Sequence, residues 1–468
     1  MSKYLTVFAG VLRRAADRVR RGFFSLNVTP TAIFIVAVVL VYILAFIWPI
    51  FLSQDTGMWF PHYIQAAGDR TGGDLRGALT FANSLKDTFN PYVAGNFYSP
   101  LNSVFFLPLT LFGDRAAYWF ITLFTIGIYL LAGWLSFKFL SPHVNKTILA
   151  LLLVLGLFSY GFQFEIERGQ SNVLTMAIGM LAVYLFHFTP TSKSLAWGFT
   201  RFRWLSYVLF TIAVHIKIYP IVLLVFFVKD SLWNKRDVLR VVSLFAANTA
   251  LFFVFGTKMF QSFWSAIKQI QLYAGVGHAG EINHSIFSFT HTPNYPFLQQ
   301  YYGILLLVIV AAFFVSVLPW FISAFDIKYR LRYLLPIAGM LTFFIPSVSY
   351  DYKLSLLPLY FIFYFSLEQK MNWLQKLIFA LVAVLVNFAF SPPLHLDPIS
   401  RFLPTWVVGN KFLSLFSVYL LLCVDSLIFL IRNRADIFMN IKTQPLFRRF
   451  FRGGNVAFHD ASWHNTRQ

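Results

Sequence analysis

Charge is what this chain has least of. Only 12% of its 468 residues are charged, whereas 58% are hydrophobic and 19% aromatic; a soluble domain carries about 25% charged residues. That balance excludes an ordinary soluble fold and belongs to a membrane class. The single cysteine, Cys423, excludes an intrachain disulfide, and its apolar neighbours make it a packing residue rather than a nucleophile. No Gly-x-x-x-x-Gly-Lys-Ser/Thr occurs, and no Gly-x-Gly-x-x-Gly follows a strand, which leaves no nucleotide-binding fold. His278, His284 and His291 have no tight ligand spacing and no HExxH frame, so a zinc site is not expected.

Apolar runs are abundant. They recur from Thr31 to Ile431, and a bilayer core needs roughly 20 residues per helix. The first run, Thr31 to Leu52, follows a basic stretch, is longer than the apolar part of a signal peptide and has no small-residue cleavage site, so it reads as an uncleaved anchor. The net charge of +20 would suggest nucleic acid in a soluble protein. Here the basic residues flank apolar runs, which is how a chain records its orientation in a membrane, and no nucleic-acid partner is expected.

The positive-inside rule places both termini in the cytoplasm, because Arg13, Arg14, Arg18, Arg20 and Arg21 precede the first run and Arg432, Arg434, Arg448, Arg449 and Arg452 follow the last. Basic connections at Lys193 to Arg203, Lys229 to Arg240 and Lys328 to Arg332 fall on the same side. The segment Leu205 to Val228 is then basic at both ends yet too short for two full spans. It reads as a pair of short helices turning near Lys217-Ile218-Tyr219-Pro220, a geometry tolerated at membrane depth only where it lines an enclosed or wet cavity. The alternative for Lys217 is a lysine snorkelling from one long tilted helix.

The expected fold is therefore all-α and integral to the membrane: a polytopic bundle of about 12 transmembrane helices with a long first extracytoplasmic loop carrying juxtamembrane helices. Residues 1–29 form a basic amphipathic cytoplasmic segment, 30–367 the main transmembrane module, 368–431 further transmembrane helices and 432–468 a basic cytoplasmic tail. The expected location is the cell membrane, with the working face outside the cytoplasm.

Polar residues collect on that outer face. Asp55 lies just past the first run, where a carboxylate at the membrane boundary is a candidate general base, against the alternative of a solvated loop acid. Asp74 and Asp87 read as solvated loop acids. The stretch Tyr98 to Phe112, interrupted by Pro100 and Pro108, reads as a re-entrant or juxtamembrane helix. Phe164-Glu-Ile-Glu-Arg-Gly-Gln-Ser-Asn172 packs more polarity into a short turn than a connector needs. Lys258 to Gln300 reads as an aromatic-rich external loop, and Ser347 to Lys353 as a fourth external patch. Aromatic rings stack on sugar C–H faces, but an interfacial aromatic belt has the same composition.

The order of these patches resembles the glycosyltransferase-C superfamily and, within it, glycosyltransferase family 87, the membrane mannosyltransferase-like group. Asp55 is followed by Phe60-Pro-His-Tyr-Ile-Gln-Ala-Ala67, similar to an aromatic segment ending in paired alanines. Asn90-Pro-Tyr92 and Tyr98-Ser-Pro100 resemble the family's Pro-Tyr and Tyr-x-Pro pair. Gly169-Gln-Ser-Asn172 resembles its Gly-Gln-x-Asn, Lys217-Ile-Tyr-Pro220 its Lys-x-x-Pro, Asn283-His-Ser285 its Asn-Gln-Ser, and Pro346 to Lys353 its Ser-Pro segment. The last departs from the family, with Tyr350-Asp-Tyr-Lys353 where histidines are common, so no role of those histidines is carried over.

The resemblance implies an inverting transferase that takes a hexose (mannose-like) or pentose from a polyprenyl-phosphate-linked donor to a lipid or glycan acceptor outside the cytoplasm. Asp55 would be the general base. Lys217, Arg168 and Lys353 would bind the donor phosphate, and Tyr63, Tyr98, Gln170, Asn172, Tyr219, Asn283, His284 and Asp351 would line the substrate site. No cofactor is implied with certainty and no metal ligand is assigned; a divalent metal is left open. The rival readings are a polysaccharide polymerase or ligase, and a transporter or flippase of lipid-linked sugars.

Overall fold

The computed structural model describes residues 72–140, 146–188, 201–232, 234–274, 283–291, 296–322, 325–346, 349, 351–366, 372–387 and 411–434. The described residues are helical, with no strand. In chain order the α-helices are α1 (Gly73–Thr88), α2 (Pro100–Phe106), α3 (Asp114–Leu140), α4 (Lys146–Leu157), α5 (Tyr160–Arg168), α6 (Asn172–Phe188), α7 (Arg201–Ile216) and α8 (Lys235–Leu251). They continue as α9 (Thr257–Ala274), α10 (Ile286–Thr290), α11 (Tyr302–Ile322), α12 (Ile327–Phe344), α13 (Leu357–Ser366), α14 (Trp373–Asn387) and α15 (Phe412–Arg432). Tighter 3₁₀ turns occupy Pro91–Ala94, Leu107–Leu111, Tyr219–Phe227, Pro296–Tyr301 and Asp351–Leu356.

Among the described residues three helical stretches can cross a membrane by length and composition: Asp114–Ser136, Pro296–Phe321 and Phe412–Arg432. The pair Ile148–Leu157 and Gly161–Arg168, bent by 45°, passes the same test as one broken span. Ile304, Leu307, Phe314 and Val315 on α11, and Phe120, Leu123, Phe124 and Trp134 on α3, are exposed large apolar side chains. Apolar surface on helices of this length suits lipid rather than water. The anchor expected at Thr31 to Leu52 lies outside the described residues.

Hydrocarbon tails are as apolar as leucine, so close packing and interhelical hydrogen bonds must hold such a bundle together. The centre is α12 and α13, on which every residue from Arg330 to Phe344 and from Leu357 to Ser366 is buried. The Cβ position of Gly339 lies 2.5 Å from the Tyr360 ring, so only glycine lets α12 and α13 approach so closely. Thr342 Oγ1 and Tyr360 OH then bond at 3.0 Å. The last long helix is attached by Trp320 Nε1 donating to Ser426 Oγ, 3.0 Å, by Tyr419 OH donating to Ile309 O, 2.7 Å, and by Tyr364 OH donating to Asp425, 2.8 Å.

The break expected at Lys217 is present: α7 ends at Ile216, and the return arm begins at Tyr219. That arm is a nine-residue 3₁₀ segment rather than an α-helix, long for a geometry whose runs seldom exceed 3–4 residues. Its terminal carbonyls are met by side chains from other helices. His187 Nε2 lies 2.6 Å from Phe226 O, Arg240 Nη1 donates to Phe227 O at 3.0 Å, and Arg330 donates to Val228 O and Asp230 O, both at 2.7 Å.

Two stretches read as loops are helical. Within Lys258 to Gln300, Thr257–Ala274 forms α9. Met259, Phe260, Phe263, Ala266, Ile267 and Ile270 recur on its inner side, a helical period masked in the sequence by interleaved aromatics and polar residues. The connector after Gly161 is α5, capped by Ser159, whose Oγ accepts from Phe162 N at 3.1 Å, and ended by Gly169 at φ 65°. The Tyr98 to Phe112 stretch is the short α2 followed by the Leu107–Leu111 turn, with Pro108 ending the α-helical ladder.

A Cβ on Gly161 would stand 2.5 Å from the backbone nitrogen of Ser355 and 2.8 Å from the carbonyl carbon of Leu354. Gly161→Ala should therefore destabilise the protein by about 1–3 kcal/mol in detergent thermal unfolding. Gly303→Ala, with nothing within 4 Å, should be neutral or slightly stabilising by the same measurement.

Candidate active site

The site is built at the junction of α5 and α6. Gly169 carries the left-handed φ that ends α5, and a Cβ there would strike Leu75 Cβ at 2.8 Å, so glycine also admits α1. The start of α1 docks on the same corner. Gly72, at φ 80°, donates its N–H to Glu167 O at 2.7 Å, and Tyr118 OH donates to Ile166 O at 3.0 Å. Asp74 in the first turn of α1 is thereby carried to the last turn of α5.

A chain of polar contacts starts there. Arg168 donates through Nε and Nη2 to the two oxygens of Asp74, at 2.9 and 2.8 Å. Gln170 Nε2 donates to Asp74 Oδ2 at 2.6 Å, and Gln170 Oε1 accepts from Lys217 Nζ at 2.6 Å. The order Arg168, Asp74, Gln170, Lys217 thus joins α1, the α5–α6 corner and the α7 break. This overturns the reading of Asp74 as a solvated loop acid. Its carboxylate is held by three donors because the spacing of Leu75, Ala78, Leu79, Ala82 and Leu85 makes Gly73–Thr88 an amphipathic helix docked against the bundle.

Tyr98 and Tyr219 frame the lysines. The Tyr98 segment is stapled to the end of α7 by Ser99 Oγ donating to His215 O, 2.8 Å, and Asn102 Nδ2 donating to Ile216 O, 2.8 Å. Lys217 Nζ then lies 5.0 Å from the Tyr98 ring centroid, within cation–π range. Tyr219 OH donates to Asn172 O at 2.9 Å and approaches Asn172 Oδ1 at 3.2 Å. Lys353 Nζ lies 5.6 Å from the Tyr219 ring and donates to Thr342 O at 3.1 Å. Beneath them Glu165 accepts from Val173 N at 2.6 Å and from Ser355 Oγ at 2.5 Å.

Lys217 is 9% exposed, Lys353 5% and Glu165 0%. Burial of charge is tolerated only with partners, and here the Asp74 and Glu165 carboxylates face Lys217. Among the described residues Asp74, Glu165 and, beside Arg168, Glu167 supply carboxylates to the three basic side chains Arg168, Lys217 and Lys353. The two buried lysines, each set against a tyrosine ring, are the part of it suited to an anion.

The residues expected from sequence thus divide. Lys217, Arg168, Lys353, Tyr98, Gln170, Asn172 and Tyr219 come together. Asn283 and His284 are buried at a neighbouring junction, where Asn283 Oδ1 accepts from Ser285 N and Ser349 N, His284 N donates to Ser349 O, and Lys411 N donates to His284 Nδ1. Asp351 opens the turn that carries Lys353. Asp55 and Tyr63 lie outside the described residues. Sequence reading missed Asp74, Glu165 and Ser355 as members. The helical period around Asp74 was a usable signal, whereas its pairing with Arg168 was not. Among the described residues no three His, Cys, Asp or Glu side chains gather as metal ligands.

The sequence profile of Glycosyltransferase family 87 matches residues 96–346, more than half of the chain and the stretch that contains Tyr98, Arg168, Gln170, Lys217, Tyr219 and Asn283. No curated protein and no solved structure matches the chain.

The bidentate Asp74–Arg168 pair is about one quarter exposed, at 26% for each side chain. A double-mutant cycle of Asp74→Asn and Arg168→Gln, read by thermal unfolding, should give a coupling of about 1 kcal/mol. Asp87→Asn, on the exposed side of α1, should leave the unfolding temperature unchanged.

Proposed function

The chain belongs to glycosyltransferase family 87, and we propose that it transfers a single sugar, a mannose-like hexose or a pentose, from a polyprenyl-phosphate-linked donor to an extracytoplasmic lipid or glycan acceptor, with inversion. The observation that carries this reading is the paired burial of Lys217 and Lys353 beside Tyr98 and Tyr219 at a helix break. A donor of this class keeps its isoprenoid tail in hydrocarbon and its phosphate at the lipid boundary, so its cations have to be rooted in the bundle.

In the proposed reaction Asp55 takes the proton of the acceptor hydroxyl as that oxygen attacks the anomeric carbon. The bond between that carbon and the phosphate oxygen breaks, and its electron pair leaves with the polyprenyl phosphate. Lys217 and Lys353 stabilise the charge gained by the leaving group, a contribution that is largest where water is excluded. Arg168 acts from behind, by holding Asp74 and through it Gln170 and Lys217. Tyr63, Tyr98, Gln170, Asn172, Tyr219, Asn283, His284 and Asp351 line the sugar and acceptor side. In this reading about 12 helices cross the cell membrane, with both termini cytoplasmic and the Asp55 end outside.

At equal expression in membranes supplied with polyprenyl-phosphate sugars, Asp55→Asn and Asp55→Ala should lower transfer by about 10²–10⁴-fold. Lys217→Ala should lower it by about 10²–10³-fold. Retained turnover in the Asp55 variants, or a reporter fused at Gln54 facing the cytoplasm, would overturn the mechanism. Transfer of a whole glycan in place of one sugar would make the enzyme a polymerase or ligase, and a chelator titration in the same assay reads out any assisting divalent ion.

A further inference from the structure

Glu165 is fully buried in the last turn of α5, and its two oxygens reach different parts of the chain. One accepts from the N–H of Val173 in the first turn of α6. Such an N–H has no partner within its own helix, and any capping oxygen would satisfy it. The other oxygen accepts from Ser355 Oγ, two residues beyond Lys353 in the Asp351–Leu356 turn. Gly161, four residues before Glu165 and so on the same face of α5, lies against the backbone of Leu354 and Ser355. One face of α5 therefore seats the Lys353 turn, and Glu165 fastens it. The same carboxylate faces Lys217. A cap alone needs neither the second segment nor the lysine.

We propose that Glu165 is a positioning residue for the anionic group of the donor: by bridging α6 to the Ser355 turn, it keeps the Lys217 and Lys353 ammonium groups at a set separation. This rests on the transferase reading above, whose donor supplies the phosphate. Among the described residues Glu165 from α5 and Asp74 from α1 face Lys217 with opposite charge, and Lys353 lies on the turn that Glu165 fastens. Replacing Glu165 by an amide weakens the acceptor that fastens the Lys353 turn and removes a negative charge near Lys217, so the two ammonium groups should hold a phosphate less well.

The test uses the full-length protein in detergent, with farnesyl phosphate as an anionic isoprenyl probe and farnesol as its uncharged counterpart, both read by ligand-induced thermal shift, alongside donor kinetics in membranes. Glu165→Gln should weaken farnesyl phosphate about tenfold. Farnesol binding should be unchanged, and donor KM should rise more than kcat falls. Ser355→Ala, which frees the turn but keeps the carboxylate, should weaken farnesyl phosphate by a smaller factor. Wild-type affinity for farnesyl phosphate in Glu165→Gln overturns the inference, as does an equal loss for both probes, which marks a purely structural role. Where Glu165→Gln does not fold, wild-type affinity and KM in Ser355→Ala overturns it. A wild-type protein that transfers no sugar overturns the transferase reading instead, and the two probes still report on Glu165.

Discussion

A lysine ammonium inside an apolar helix bundle has to be met by oxygens, and the arrangement around Lys217 follows from that requirement. Gln170 supplies an amide oxygen at 2.6 Å, Glu165 and Asp74 supply opposite charge, and Tyr98 presents its ring. Each partner comes from a different element, so satisfying one cation brings together α1, the α5–α6 corner and the stretch before α2. Gly72, Gly161 and Gly169 allow the backbones to approach closely enough for short side chains to reach. Removing charge from water is expensive, and the expense is tolerated where the charge is to meet a ligand of opposite sign.

The broken segment after Lys217 is the counterpart of this on the backbone. A 3₁₀ run of this length leaves carbonyls without strong partners, and His187, Arg240 and Arg330 reach its end from three separate helices. Asp237 in turn accepts from Arg240 and from Asp230 N. The break is thus held at both ends, at Lys217 by the polar cluster and at Val228 by guanidinium and imidazole groups. Irregular backbone is admissible in a membrane protein when it is enclosed by protein in this way.

Much of the helical plan was legible from periodicity and length. The run from Asn172 to Phe188 coincides with α6, and the stop at Ile216 was readable because basic flanks and Pro220 left no room for two complete spans. The short, polar-rich elements were harder to read. For α5 and α9, aromatic and polar residues interrupt the apolar stripe, so the same residues are consistent with a loop until the neighbouring surface is known. Asp74 resembled Asp87 in sequence, two acids in a polar stretch. They differ only in which side of α1 they occupy and in whether an arginine from a distant part of the chain lies opposite.

Sequence alone established a helical membrane protein with a pattern of short motifs, because hydrophobic length, basic flanks and motif order are local or ordinal properties that survive without coordinates. Tertiary structure decided which polar residues belong together: that Arg168 faces Asp74, that Glu165 reaches Ser355, and that Lys217 and Lys353 flank Tyr219. Hydrogen bonds and charge pairs act over a few ångströms, whereas these partners are separated by up to 190 positions along the chain. Only the packing of helices brings them within that range.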